Sequence, residues 1–389
     1  MKLTSTAQIS GHSLGLAALG LLAGSVSFSQ PATAATVTQQ LSQITSEFNS
    51  LLSQEINTLN GSLSGSNITL LDANMLTDTL LGELAEVNQP CIQGPPPSPA
   101  AFPISICSNP EDFLFYDEIH PTTAVHSRIA DQAIAALSPS ILDQTSKLVL
   151  FGDSLTDSGN VFGFSGGAFP FPVAPAGPLA GTPLYADGAF TNGPVWWQYL
   201  ATEVGLEEAV PFYENVLGGV FPASVPDEGV NFAVGGATTG ADNSGNAQTP
   251  PFPVELPGLT DQLNAFGGLL GAEAADPDAL YVVWAGANNF LGAFAPIDPA
   301  NPFAPFPAFT TDPAQPVSDI SAALEGLYGL GARNFLVGNL YDLGETPLVR
   351  QLEAANPPEP TPVPEPGSLV GAIAALGLWG GYRKLRQRQ

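Results

Sequence analysis

Five residues of this chain could perform acyl transfer if the fold brings them together. Ser154 lies in Phe151-Gly152-Asp153-Ser154-Leu155-Thr156-Asp157-Ser158-Gly159-Asn160, just past an apolar run and at the start of an expected helix. There its hydroxyl is exposed, and neighbouring amides favour negative charge. A serine hydroxyl needs a base before it can attack. His120, in Asp117-Glu118-Ile119-His120-Pro121-Thr122, can be that base, and Asp117 three residues earlier suits one turn. The carboxylate would fix the imidazole tautomer and stabilise the imidazolium. His126 has no such partner in sequence and reads as a surface or packing residue. Acyl transfer also needs donors for the developing oxyanion. Gly236 offers an amide unobstructed by a side chain, and Asn288 a carboxamide. Each signal alone is weak, because Gly-Asp-Ser or Gly-x-Asn arises by chance.

Alternating strands and helices would position these groups. Leu41, Ile44, Phe48, Leu51, Leu52, Ile56 and Leu59 recur at steps of three and four and predict an amphipathic helix. Ile68 to Asp72 reads as a short buried strand. A helix is expected after Pro121-Thr122-Thr123, with Val125, Ile129, Ala133, Ile134 and Leu137 on one face. Leu148 to Phe151 reads as a strand running into the Ser154 turn. A helix is expected to start at Pro194, a good first-turn proline. Val230 to Val234 and Leu280 to Trp284 read as strands, Ser318 as a helix cap, and Phe335 to Val337 as a further strand. This alternation implies a mostly parallel sheet with helices on both faces, and ligands sit beyond the carboxyl ends of such strands. The turns at Gly152-Asp153-Ser154, Gly235-Gly236-Ala237 and Gly286-Ala287-Asn288 all fall there. Long segments containing Phe169, Phe171, Phe252, Phe294, Phe303, Phe306 and Phe309 follow them, as substrate walls, a lid, or solvated insertions.

The chain has 389 residues, 44% hydrophobic, enough for a sizeable core and incompatible with wholesale disorder. Charge is lopsided, with 36 acidic residues against 9 basic ones. Between Ala35 and Val363 the only bases are Arg128, Lys147, Arg333 and Arg350. Such a body cannot neutralise phosphates, which excludes a nucleic-acid binder and disfavours polyanionic substrates. Lys2, the apolar stretch Leu14 to Val26 and Ala32-Thr33-Ala34 predict a secretory signal peptide over residues 1–34. A Pro-rich linker is expected over 351–366, ending in Val363-Pro364-Glu365-Pro366. Residues 367–389 then supply a short apolar segment, below the ~20 residues of a comfortable span, and a basic tail. That ending resembles the PEP-CTERM sorting signal of Gram-negative envelope proteins, which implies transient membrane anchoring and removal by an exosortase-like enzyme. A plain anchor would look the same. In an exported chain Cys91 and Cys107 are expected to form a disulfide, contributing about 3 kcal/mol by the chain-entropy model. His12 leaves with the signal peptide, and His120, His126 and the two cysteines make no zinc pattern, so neither metal nor cofactor is expected.

The blocks GDSLTDSGN, NFAVGGAT (Asn231 to Thr238), GANN (Gly286 to Asn289) and DEIHPT (Asp117 to Thr122) together resemble the GDSL, or SGNH, serine hydrolases. Thr191 to Trp196 and Gly331 to Val337 match as well. The resemblance implies Ser154 as nucleophile and oxyanion-hole donor, Gly236 and Asn288 as the other donors, and Asp117 and His120 as the rest of the triad. It implies a three-layer α/β/α sandwich with a mostly parallel sheet, flavodoxin-like, and hydrolysis of esters. Two features depart from the family. Asn289 stands where Asp is usual. The Asp-His block precedes the serine block instead of following it, so the chain reads as circularly permuted. Residues 35–350 would be one permuted domain, 35–140 being the usual C-terminal part and 147–350 the usual N-terminal part.

The resulting expectation is an exported serine esterase of the cell envelope, surface or matrix, acting on lipid or acylated-carbohydrate esters through an acyl-enzyme. The alternatives are a surface or matrix binding protein on an inactive scaffold, and a structural envelope protein whose motifs are accidental. A permuted fold should bring the Asp117–His120 turn to Ser154, place Leu148–Phe151 inside the sheet, and pack the 41–59 helix near Phe335–Val337.

Overall fold

Short apolar runs become fully buried strands at the centre of the sheet, and turns rich in glycine or short polar side chains end most of them. In the computed structural model, residues 35–93, 105–170, 173–174, 179–186, 188–247, 253–291 and 310–355 are described. The described residues group as one compact unit. The expected signal peptide and sorting segment, and every Phe-rich loop residue named above except Phe169, lie outside the described residues. Among the described residues no helix is long and apolar enough to cross a membrane.

The main sheet is six-stranded and parallel throughout. Its strands are β1 (Asn67–Leu71), β4 (Leu148–Gly152), β5 (Val210–Pro211), β6 (Gly229–Asn231), β7 (Leu280–Trp284) and β8 (Asn334–Gly338), ordered β1-β8-β7-β4-β6-β5. Strand β4, which feeds Ser154, is internal and pairs with β7 on one side and β6 on the other. At the far edge β1 pairs with β8 from Asn67↔Asn334 to Leu71↔Gly338. A separate antiparallel pair joins β2 (Ile92–Gln93) to β3 (Ser105–Ile106), beside the Cys91–Cys107 disulfide.

Period-two alternation sends neighbouring side chains to opposite faces, and each face meets helices. Phe151, Tyr281 and Phe335 point one way. Phe151 and Tyr281 meet Phe266 of α7 (Leu259–Leu270), at ring centroids of 5.6 and 5.9 Å. Trp284 points the other way and meets Trp196 of α6 (Trp196–Val204) edge-on at 5.5 Å. Gly338 makes room for Trp284, since a Cβ there would lie 2.4 Å from the indole. On the α7 side lie α1 (Val37–Ser62) and α9 (Ala314–Leu330); on the α6 side lies α3 (Thr123–Ala136). The result is a three-layer α/β/α arrangement.

The apolar stripe of α1 buries Leu41, Phe48, Leu52, Ile56 and Leu59, and Thr36 caps it in a capping box with Gln39. Asn49 exchanges hydrogen bonds with Leu340, just past β8. Helix α2 (Ala73–Glu83), which periodicity did not reveal, follows β1 directly, because Asp72 leaves the strand to accept the Met75 amide. Helix α4 (Pro139–Gln144) links the two halves of the domain.

Several boundaries differ from expectation: β1 ends at Leu71 and not Asp72, and the linker expected from residue 351 begins inside a helix, Pro347–Ala355. Regular β6 ends at Asn231, short of Val234, because the Asn231 side chain accepts the Ala233 amide and turns the chain. Helix α6 begins at Trp196; Pro194 stays outside, its carbonyl accepting from the Thr123 hydroxyl. Ser318 lies inside α9, because the Asp312 carboxylate accepts the Ala314 amide and starts the helix a turn earlier. Pro316 is tolerated in that first turn, where its missing N–H would have no partner.

Candidate active site

The turn after β4 is built by carboxylates that collect amides. Asp153 accepts the Leu155 amide at 3.1 Å, and Asp157 gathers four. Its Oδ1 takes Gly159 and Asn160 at 2.9 and 2.7 Å, and its Oδ2 takes Val161 and Gly235 at 3.1 and 2.9 Å. The Gly235 bond ties the serine turn to the Gly236 turn. Burial pushes Asp157 up to about 6, even though the four amides pull it down. Asn160, at the start of α5 (Asn160–Phe164), donates to the Asn231 and Ala233 carbonyls. Asn231 donates back to the Thr156 carbonyl at 2.8 Å.

The second turn carries the acid and base. Asp117 Oδ1 accepts the backbone amides of Ile119 and His120 at 3.0 and 2.8 Å. His120 Nδ1 lies 2.7 Å from Asp117 Oδ2, and His120 Nε2 lies 2.8 Å from Ser154 Oγ. With Nδ1 facing a carboxylate, the ring carries its proton there and leaves Nε2 to accept from the serine hydroxyl. Burial alone would raise Asp117, but the His120 charge, its hydrogen bond and the two amides hold it below the usual carboxylate range. Phe190 packs on the imidazole at 5.0 Å, and Phe169 packs on Phe190.

The expected donors, Gly236 and Asn288, sit on turns tied to the serine turn. Gly236 has φ +83°, and a Cβ there would lie 2.6 Å from Asn243 Oδ1, so the position requires glycine. Its carbonyl is held by the Ser244 amide and hydroxyl, and its amide has no hydrogen-bond partner among the described residues. Asn288, in the short α8 (Ala287–Phe290), donates to the Ala237 carbonyl at 3.0 Å and lies 3.4 Å from Asp153 Oδ2. It therefore bridges the residue after Gly236 and the residue before Ser154. Leu155 and Pro121, neighbours of Ser154 and His120, line a small apolar cavity with Leu76, Trp284 and Tyr341.

The model of the GDSL-like lipase/acylhydrolase family matches residues 148–386, more than half of the chain. The chain belongs to that family. Among curated proteins, a phosphatidylcholine-sterol acyltransferase of Aeromonas hydrophila is 30% identical over 214 residues, 54% of this chain and 50% of that protein. A thermolabile hemolysin of Vibrio parahaemolyticus is 33% identical over 162 residues, 40% of this chain and 34% of that protein. A GDSL esterase/lipase of Arabidopsis thaliana is 29% identical over 213 residues, 51% of this chain and 50% of that protein. The chain spans about half or less of the length of these relatives. Its mostly parallel sheet with helices on both faces is consistent with the α/β fold of GDSL hydrolases.

In this family member Asn289 has a clear use. Its carboxamide accepts the Thr239 amide and donates to the Thr239 hydroxyl, both at 3.1 Å, while that hydroxyl donates to Asp319. A carboxylate at position 289 could accept the amide but could not donate to a hydroxyl already facing Asp319. His126 is a packing residue and not a surface one. It is buried, its Nδ1 accepts the Trp196 amide at 3.2 Å, and burial followed by the His120 charge pushes it down to about 3.

Sequence reasoning missed Asp157, Asn160, Tyr185 and Glu118. The first two stand inside the quoted serine block, and their acceptor and amide chemistry was the available signal. Tyr185 donates to Asp117 Oδ2 at 2.7 Å from 68 residues away. Glu118 is buried with Oε1 unpartnered, and burial followed by the Asp117 charge pushes it up to about 8. Among the described residues no three His, Cys, Asp or Glu side chains gather as a metal site requires.

Proposed function

We propose that the chain is an exported serine hydrolase of carboxylic esters, acting through an acyl-enzyme on Ser154. One observation carries this reading: a single imidazole touches a carboxylate through Nδ1 and a serine hydroxyl through Nε2, at 2.7 and 2.8 Å. His120 removes the Ser154 proton as Oγ attacks the ester carbonyl, then returns it to the leaving alkoxide. Asp117 fixes the tautomer and stabilises the imidazolium. The amides of Ser154 and Gly236 and the Asn288 carboxamide receive the oxyanion. Water, activated by the same imidazole, then releases the acid.

The name of the Aeromonas relative, a phosphatidylcholine-sterol acyltransferase, favours a lipid ester over an acylated carbohydrate. The signal-peptide pattern of residues 1–34 supports export to the envelope or beyond, and the ending resembling a PEP-CTERM signal supports transient anchoring and exosortase-like processing. Circular permutation is supported by the family match beginning at Leu148, after Asp117 and His120. The α4 link and the pairing of β1 with β8 fit a single domain over 35–350.

The test is hydrolysis of chromogenic esters of graded acyl length, with an acetylated glycan alongside, by the purified chain and by Ser154→Ala. The reading requires turnover that disappears in the variant. Turnover that survives in Ser154→Ala, or none from the unaltered chain on any ester, would sink it.

A further inference from the structure

The geometry points to Tyr185 as a positioning residue that orients Asp117, delivered to it by a small second core stapled by the Cys91–Cys107 disulfide. This rests on the triad reading above and goes beyond it. Asp117 Oδ1 is already occupied by two backbone amides from its own turn, so the direction of the carboxylate plane is set by what Oδ2 meets. Besides the imidazole, Oδ2 meets only the Tyr185 hydroxyl among the described residues, at 2.7 Å. Tyr185 is buried, and burial followed by the Asp117 charge pushes its hydroxyl far above the ordinary tyrosine value. It therefore stays protonated and can only donate toward the carboxylate. A donor to the charged form lowers a carboxyl pKa and keeps Asp117 an acceptor for the imidazole.

What places Tyr185 is separate from the sheet. Tyr116 and Tyr185 pack edge-on at 5.5 Å in a cluster with Cys91, Ile92, Ala174 and Leu184. The Tyr116 hydroxyl donates to the Leu184 carbonyl, next to Tyr185. The stapled hairpin donates from Cys91 to the Phe115 carbonyl at 3.0 Å and from Ile92 to the Tyr116 carbonyl at 2.8 Å. Tyr116 in turn donates its amide to the His120 carbonyl at 2.7 Å. One clamp thus fixes both the acid–base turn and the tyrosine that faces it.

The groups acting on Asp117 from the elements around it are His120 and Glu118 on its own turn, Tyr116 before it, Tyr185 opposite, and Tyr341 beyond β8. Of these, only Tyr185 and His120 donate side-chain hydrogen bonds to it.

The experiment compares the unaltered chain with Tyr185→Phe, oxidised and reduced, by steady-state kinetics across pH and by thermal unfolding. Tyr185→Phe should lower kcat about tenfold with KM little changed, as loss of a hydrogen bond to a charged group allows. With one donor fewer, Asp117 attracts the imidazolium more strongly, so the acid limb of the pH–rate profile should move to higher pH. A purely structural role would lower the melting temperature and leave that limb in place, which overturns the assignment. Reduction of the disulfide should lower kcat in the unaltered chain and add little in Tyr185→Phe. Equal losses in both would overturn delivery by the stapled core. Should Tyr185→Phe fail to fold, the reduced unaltered chain must itself show the shifted acid limb, and an unshifted limb overturns the proposal. A chain inactive before any substitution would instead refute the hydrolase reading itself.

Discussion

At the scale of single residues, the site is a set of carboxyl groups given different work by their surroundings. Asp117 has four donors and stays charged, so Asp117→Asn should cut kcat by about 10⁴-fold with circular dichroism unchanged. The asparagine NH₂ would oppose the imidazole N–H and favour the wrong tautomer. Unchanged turnover would remove Asp117 from the mechanism. Replacing His126 by Gln should leave turnover nearly intact, because its ring serves the Trp196 amide and not the serine. Glu118, one residue from Asp117, behaves in the opposite way. Its carboxyl moves from about 4.5 to about 8 on folding, so the folded state keeps a proton that the unfolded chain gives up. Its contribution to stability is full below pH about 4.5 and erodes as pH rises through about 8. Urea unfolding should therefore show Glu118→Gln gaining on the unaltered chain across that window; parallel curves would refute the assignment. Ser154, His120 and Asp117 were legible because their motif blocks, each weak alone, together resemble the GDSL hydrolases. Glu118 was not, since only burial distinguishes it from a surface acid.

Elements position these groups through contacts that sequence spacing does not reveal. Helix α1 was legible from its stripe, and its partner was expected near β8. Less visible was its hold on the oxyanion side of the site. Phe48 is fully buried, meets Phe290 edge-on at 5.9 Å, and would lie 3.1 Å from a Cβ at Gly286. Phe290 and Asn288 share the single turn of α8. Phe48→Ala should thus destabilise by about 4 kcal/mol and also lower kcat by loosening Asn288. Thermal unfolding and kinetics on one preparation would separate the two effects. A stability loss with unaltered kcat would show that α8 is held from elsewhere. The misplaced starts of α6 and α9 share a cause. The local rule for prolines and capping serines was sound, but the Thr123 contact and the Asp312 carboxylate decided the outcome.

For the whole molecule, chain order and chain geometry can be separated. The ends of the described unit are adjacent, since Thr38 in the first turn of α1 hydrogen-bonds Glu353 in α10 (Pro347–Ala355). The link between the halves is the exposed α4 segment. A chain opened within Pro139–Gln144, with Glu353 joined to Thr38 by a short linker, should keep the sheet and hydrolyse the same ester. On the proposed permutation, it would restore the order usual in the family. Collapse of that variant, judged by circular dichroism and activity, would show that α4 is structural and not merely a connector.

The β1–β8 pairing has a temporal consequence. Asn67 and Asn334 bond side chain to side chain across a separation of 267 residues. Contacts that distant form late, because the loop must close before they stabilise anything. During synthesis β1 has no strand partner and α1 no contact with α9 until almost the entire domain exists, and His120 is made before Ser154. On the proposed mechanism the site is therefore silent while the chain is being made, and the first part of the domain stays open the longest. A nascent chain ending before Asn334 should leave the α1 and β1 amides unprotected in hydrogen exchange, and those amides should be among the last protected when the full domain refolds.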